Sequence, residues 1–230
     1  MGDLAAVIPA YNAAETVGQV VGGCRRFLSS VVVVDDGSVD DTRGRAEAAG
    51  ARVLSHPRNR GKGAALRTAF GILLAERFDA LITLDADGQH DPADIPRFTE
   101  AFRASGAGLI IGSRSEAFAG MSAGRRFGNR FSSAALRTFS GLRLPDSQSG
   151  YRLYAAPFLR SVSPTGESYE LEMEMILLAA ARKVRVETIP VRVPVADGRA
   201  LSHFRSIRDT YRICACVVGF GWRRMTGRFG

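Results

Sequence analysis

An α/β fold with a mostly parallel central sheet flanked by helices is what the sequence predicts, on three observations. Five short, largely apolar runs, 5–8, 31–34, 51–54, 80–84 and 108–111, alternate with helical stretches. Continuous apolar strands separated by amphipathic helices are the pattern of a parallel sheet covered on both faces. Polar clusters follow directly after four of the runs: Pro9-Ala10-Tyr11-Asn12, Asp35-Asp36-Gly37-Ser38, Asp85-Ala86-Asp87 and Gly112-Ser113-Arg114. Ligands bind at the carboxyl ends of strands in such sheets, so the four clusters are expected on one rim.

The chain has 230 residues, 46% of them apolar, enough for one large domain with a buried core. Its net charge is +8, and of 31 basic residues only Lys62 and Lys183 are lysines. Arginine suits planar, bidentate phosphate recognition, which points to phosphorylated metabolites, anionic lipid or nucleic acid as partners. Cys24, Cys214 and Cys216 lack the paired spacing of a zinc site or disulfide framework and fit a reducing cytoplasm. No signal peptide is expected, since the first strand begins by Ala5. The longest apolar stretch near the end, 213–222, has ten residues, whereas spanning a bilayer takes about 20.

Taken in order, the first run leads into Tyr11 and Asn12, and the second into Asp35 and Asp36. Asp36 is a candidate to accept from a base or ribose, the alternative being an Asx turn and helix cap over 35–40. Asn59-Arg60-Gly61-Lys62-Gly63 approaches a helix start, where free N–H groups and Lys62 can meet phosphate oxygens. It lacks the Walker spacing, so an ordinary helix start stands beside that reading. His56 before it is expected to be structural.

The fourth run ends in Leu84-Asp85-Ala86-Asp87-Gly88-Gln89-His90. Alternation along a strand lets Asp85 and Asp87 face the same way, and Gly88 lets the backbone turn so that Gln89 returns toward them. Oxygen donors without thiolates favour Mg²⁺ or Mn²⁺; a solvated acidic turn is the alternative for an isolated Asp-x-Asp. His90 either orients a substrate or caps the turn. Arg114, after the fifth run, is either solvated or set to neutralise leaving-group charge.

Beyond Ser115 come a basic stretch over 125–137 that includes Arg126 and a Gly/Ser/Pro-rich loop over 146–152. The spacing of Glu170, Glu174 and Leu177 predicts a helix running to about Lys183, then a strand near 184–190. In Ser202-His203-Phe204-Arg205, imidazole and guanidinium either address a phosphate or form surface charge.

The ordered series Pro9-x-Tyr11-Asn12, Asp35-Asp36-Gly37-Ser38, Asn59-x-Gly61-Lys62-Gly63, Asp85-x-Asp87-x-Gln89-His90, Gly112-Ser113-Arg114 and 146–152 resembles the inverting family 2 glycosyltransferases. It is most similar to the dolichyl- and polyprenyl-phosphate sugar transferase branch, and the resemblance runs from about Leu4 to Arg205. It implies a GT-A type, Rossmann-like nucleotide-sugar-binding domain. It also implies that Pro9, Tyr11, Asp36 and Lys62 line the nucleotide pocket, with Asn12, Asp35, Gly61 and Ala86 beside them. Asp85, Asp87 and Gln89 are the implied metal ligands and Asp85, Asp87 and Arg114 the catalytic set. Arg205 is the implied phosphate contact, and Arg126, Ser149, Arg152 and His203 are candidates for acceptor or phosphate contact. Two departures stand out: Ala13-Ala14 follows Tyr11-Asn12 where members usually have Glu, and Ser202-His203 replaces a more usual Ser-Lys.

The expected reaction moves a hexose from a nucleotide-diphospho-sugar, of the GDP-mannose or UDP-glucose class, to a polyprenyl phosphate. A phosphate monoester is already anionic near pH 7, with a second pKa of about 6, so no catalytic base is needed. A sugar hydroxyl acceptor needs one, for which Asp146 is the nearest substitute, although capping the Ser/Gly turn is its favoured role. Residues 1–205 are expected to form the catalytic domain. The tail, 206–230, with Tyr211, Phe220 and Trp222 among arginines, either docks on the inner face of the cytoplasmic membrane or covers the domain. The alternatives are transfer to a saccharide hydroxyl and a non-enzymatic anionic-surface module. No stacking platform or helix-turn-helix supports nucleic-acid binding.

Overall fold

The computed structural model describes residues 3–114, 136, 137, 141, 142, 144–192 and 216. The chain runs β1 (Leu4–Ala10), α1 (Val17–Arg25), β2 (Ser30–Asp35), α2 (Thr42–Ala48), β3 (Arg52–Ser55), α3 (Lys62–Leu73) and β4 (Ala80–Thr83). A 3-10 turn (Pro92–Asp94) leads into α4 (Ile95–Ser105), followed by β5 (Leu109–Ser113), β6 (Arg152–Ala155), α5 (Ala156–Arg160), α6 (Glu170–Ala181) and β7 (Val186–Pro190). The sheet order is β3-β2-β1-β4-β6-β5-β7, parallel except for β6, which is antiparallel to both neighbours.

Strand alternation splits the core in two. Ala5, Val7, Val32, Val34 and Leu81 face α3, α5 and α6, where Leu66, Phe70, Phe158 and Ile176 meet them. Ala6, Ile8, Val31, Val33 and Ile82 face α1 and α4, with Val17, Val21, Cys24, Ile95 and Phe98. Both faces are therefore dry, which is why the strands read as unbroken apolar runs.

Local chemistry sets several element ends. Asp91 caps the 3-10 turn by accepting from Ala93 N at 2.9 Å, with Pro92 in the first-turn position that lacks any need for an N–H. Gly106, at φ 61°, closes α4 in the left-handed conformation that glycine adopts without penalty. Pro9 lies inside a central strand, yet β4 pairs with β1 only as far as Val7, so the missing N–H faces no β4 partner.

Each of the five expected strands is present, with ends shifted by one or two residues, and the helix expected from Glu170 spans Glu170–Ala181. β6 corrects the loop reading of 146–152: Arg152 opens a strand wedged between β4 and β5, with Thr83 and Ile111 as its register partners. Cys24 is a buried thiol outside any disulfide, pushed up to about 12 by burial, and Cys216 is half-buried. No helix among the described residues is long and apolar enough to cross a membrane. Apart from Cys216, the tail 206–230 lies outside the described residues.

Candidate active site

The fourth strand delivers its carboxylates to the rim as the sequence pattern anticipated. Leu84 N still donates to Val7 O (3.1 Å), and the chain then leaves the sheet. Gly88 turns it at φ 75°, and Gln89 N donates to Asp87 Oδ1 at 3.0 Å. His90 is 2% exposed, and its Nδ1 accepts from Asp85 N at 3.2 Å, so His90 caps the turn. Burial pushes this imidazole down to about 4, which keeps it neutral and able to accept. Thr16, next to α1, donates its hydroxyl to Ala86 O (2.6 Å) and pins the turn from the other side.

Lys62, the first residue of α3, projects to the same place. Its Nζ lies 2.5 Å from Asp85 Oδ1 and 2.9 Å from Glu172 Oε1, a carboxylate on α6. Burial opposes charge on Lys62, but the two carboxylates overcome it and hold the ammonium well above the usual lysine range. Burial likewise opposes charge on Asp85, and Lys62 reverses this, holding it at about 2. Asp87 goes the other way: burial and then the neighbouring Asp85 charge raise it. Two carboxylates side by side, with one ammonium shared with a third, leave uncompensated negative charge at the strand end.

That imbalance and the oxygen-only donor set fit a hard divalent cation. Asp85, Asp87 and the amide oxygen of Gln89 are the residues that would hold it, and it would supply charge neutralisation to a departing diphosphate. No group of three His, Cys, Asp or Glu side chains among the described residues forms a ready cage. Mg²⁺ in phosphate-handling sites takes one or two carboxylates and completes its shell with substrate oxygens and water, which matches this arrangement.

Arg114 reaches the rim from the end of β5. It clamps Asp146, with Nε to Oδ2 at 2.8 Å and Nη2 to Oδ1 at 3.2 Å, and its backbone N donates to Oδ2 at 3.2 Å. Asp146 is fully buried and also accepts from Gln148 N at 3.2 Å, so it both caps its turn and fixes the arginine.

Several expected ligand contacts are instead internal. Asp36, expected to face a base or ribose, is 3% exposed and accepts from Arg60 N (2.9 Å), Gly61 N (2.7 Å) and His56 Nδ1 (2.7 Å). His56 Nε2 lies 2.9 Å from Thr68 Oγ1 on α3, which makes His56 structural as expected. Asp36 thus anchors the loop that launches α3. Gly61 belongs to the same anchor, and the helix start is covered by the 166–168 backbone, with Ala64 N donating to Glu167 O at 3.0 Å. The expectation of a phosphate at that helix N-terminus does not fit this cover.

Asn12, at φ 50°, accepts from Val39 N (2.9 Å) through Oδ1, and its N donates to Ser38 Oγ (2.9 Å). Asp35 Oδ1 accepts from Ser38 N at 3.0 Å, which forms an Asx turn. Pro9 is buried in β1, and Tyr11 is half-buried at its end.

Arg152 is the clearest correction. It is fully buried, and its guanidinium donates to the carbonyls of Ser149 (2.7 Å), Glu172 (2.5 Å) and Ser147 (2.9 Å). Enclosed this way it braces the 147–149 loop against α6 and does not reach an acceptor. Ser149 is equally buried, its hydroxyl 3.4 Å from Tyr151 N. Arg126, His203 and Arg205 lie outside the described residues. Sequence reasoning missed Glu172. Its signal was a carboxylate inside Leu171-Glu172-Met173, in a helix buried nearly all round.

Comparison with known proteins shows the family and the fold. Residues 5–162 match the model of glycosyl transferase family 2. An undecaprenyl-phosphate mannosyltransferase of Micrococcus luteus is 33% identical over 80% of this chain and 81% of its own. A UDP-N-acetylglucosamine–dolichyl-phosphate N-acetylglucosaminyltransferase of Methanococcus voltae is 26% identical over 93% and 95% of the two chains. Among solved structures, glucosyl-3-phosphoglycerate synthase from Mycobacterium tuberculosis aligns with a TM-score of 0.80 and 23% identity, over 96% of this chain and 80% of that one. That likeness speaks to the fold, a GT-A glycosyltransferase fold. With its relatives named for sugar transfer to polyprenyl phosphates and its family motifs gathered on one rim, the chain belongs to glycosyl transferase family 2 and is a glycosyltransferase.

Proposed function

We propose that the protein transfers a hexose, with inversion, from a nucleotide-diphospho-sugar of the GDP-mannose or UDP-glucose class to a polyprenyl phosphate. The observation that carries this reading is the state of the carboxylates. Asp85 and Asp87 stand at the strand end as an underneutralised pair, while Asp146 is clamped by Arg114 and Glu172 is paired with Lys62. A carboxylate held by a cation is a poor proton acceptor, so an acceptor that brings its own anionic oxygen suits the site best. The acceptor oxygen attacks the anomeric carbon in one displacement as the bond to the nucleotide diphosphate breaks. Arg114 would neutralise charge on the leaving diphosphate, and Asp85 and Asp87 would hold the Mg²⁺ or Mn²⁺ that supplies the same neutralisation. The names of the Micrococcus and Methanococcus relatives support a lipid-phosphate acceptor, and the Methanococcus name supports a nucleotide-sugar donor. Work at the cytoplasmic membrane face, with the protein bound peripherally, follows from the acceptor and from the net charge of +8.

The test is product analysis with labelled GDP-mannose, UDP-glucose and UDP-N-acetylglucosamine, each offered with a polyprenyl phosphate and with a saccharide. Label in an acid-labile lipid product supports the reading. Label found only in an acid-stable saccharide overturns the acceptor.

A further inference from the structure

The Lys62 ammonium sits between two carboxylates with different surroundings. Asp85 is 27% exposed through its side chain and opens toward the rim, whereas Glu172 is 8% exposed. Glu172 Oε1 is buried, and Lys62 Nζ at 2.9 Å is the cation that compensates it. The backbone behind Glu172 is held by Arg152, which fixes the inner carboxylate in place. Gly150 closes another side: a Cβ there would come within 2.7 Å of Lys62 Nζ and 2.8 Å of Asp85 Oδ2. The ammonium is thus confined to a short path between an outer and an inner carboxylate, on a flexible four-carbon stem.

A cation bound by Asp85 and Asp87 must contend with the ammonium bonded to Asp85 Oδ1. We infer that Lys62 competes with the divalent cation for Asp85, and that Glu172 is the positioning residue that receives the ammonium when the cation takes its place. Metal alone then binds weakly. A nucleotide diphosphate, by adding negative charge beside both cations, lets metal and Lys62 coexist, so the two load together. This inference rests on the metal reading of Asp85 and Asp87 above.

The experiment is titration with Mn²⁺ alone, and with Mn²⁺ plus UDP or GDP, followed by electron paramagnetic resonance and calorimetry. The proteins are wild type, Lys62→Met, Glu172→Gln and the double variant. Lys62→Met should tighten Mn²⁺ binding without nucleotide at least about tenfold, since it removes a like charge from the site. Glu172→Gln should weaken it severalfold while Lys62 is present, and far less when it is combined with Lys62→Met. A Glu172 that merely braced the fold would lower the melting temperature without that dependence.

Unchanged or weaker Mn²⁺ binding by Lys62→Met overturns the competition, and an equal Glu172→Gln effect in both backgrounds overturns the hand-over. Should Lys62→Met strand the Glu172 charge and fail to fold, the double variant carries the test. Tighter Mn²⁺ binding than wild type is then expected, and equal or weaker binding contradicts the inference. Wild type that binds no Mn²⁺ even with UDP or GDP defeats the metal reading itself, and this inference with it.

Discussion

Two carboxylate clusters sit at the ends of two strands on the same rim, and they have opposite fates. At the end of β2, Asp36 receives three donors from within the protein and is closed to solvent. At the end of β4, Asp87 receives one backbone N–H, from Gln89, and lies beside the Asp85 charge. Position in the fold is the same; the number of internal donors differs. A carboxylate with its lone pairs filled is part of the scaffold, and one left short of partners is set to take a ligand.

Asp36→Ala is the sharpest way to break this contrast. It leaves two backbone N–H groups and His56 without their acceptor, and a loss of about 3–5 kcal/mol is expected, as for breaking a buried polar pair. The melting temperature should fall by roughly 10 °C for a chain of this size. Asp87→Asn should instead leave the melting temperature unchanged or raise it, because it removes a repulsion. Matching drops in differential scanning calorimetry would erase the distinction.

The histidines beside the two clusters extend the comparison to pH. His90 is held at about 4 in the fold against 6.5 ordinarily. Between those values the unfolded chain binds a proton that the folded one refuses, so stability rises with pH across that window. The contribution is complete above pH 6.5 and is lost as pH falls toward 4, a span of about 3 kcal/mol. In urea melts from pH 4 to 7, His90→Gln should flatten this slope; an unaltered slope contradicts a buried neutral imidazole.

Gly150→Ala is the smallest change, placing one methyl against Lys62 Nζ and Asp85 Oδ2. Overpacking of this kind costs about 1–3 kcal/mol. If the pair is as enclosed as described, nucleotide-free Mn²⁺ affinity shifts along with the melting temperature. A shift in melting temperature alone would place the strain elsewhere.

Much of the rim was legible in the sequence because it is local. Asp85, Asp87, Gly88, Gln89 and His90 lie within six residues, and strand alternation plus one glycine turn determine their geometry. The unbroken apolar runs likewise announced a sheet buried on both faces. What escaped depends on distant pairing. The N–H groups that fill Asp36 come from 24 and 25 residues away, and nothing in Asp35-Asp36-Gly37-Ser38 signals them. β6 has four residues and begins with an arginine, so no periodicity separates it from the loop before it. Glu172 meets Lys62 only because α6 packs on α3 across more than a hundred residues of chain.

The measurement closest to the central claim is sugar transfer to polyprenyl phosphate, followed with Mg²⁺ or Mn²⁺, with EDTA, and with Asp87→Asn. We expect an acid-labile lipid product with metal, its loss on chelation, and a fall of about 10²-fold or more in Asp87→Asn, while the variant melts with wild-type cooperativity. Transfer that survives both chelation and Asp87→Asn would contradict the assignment of the β4 carboxylates to a metal–diphosphate site.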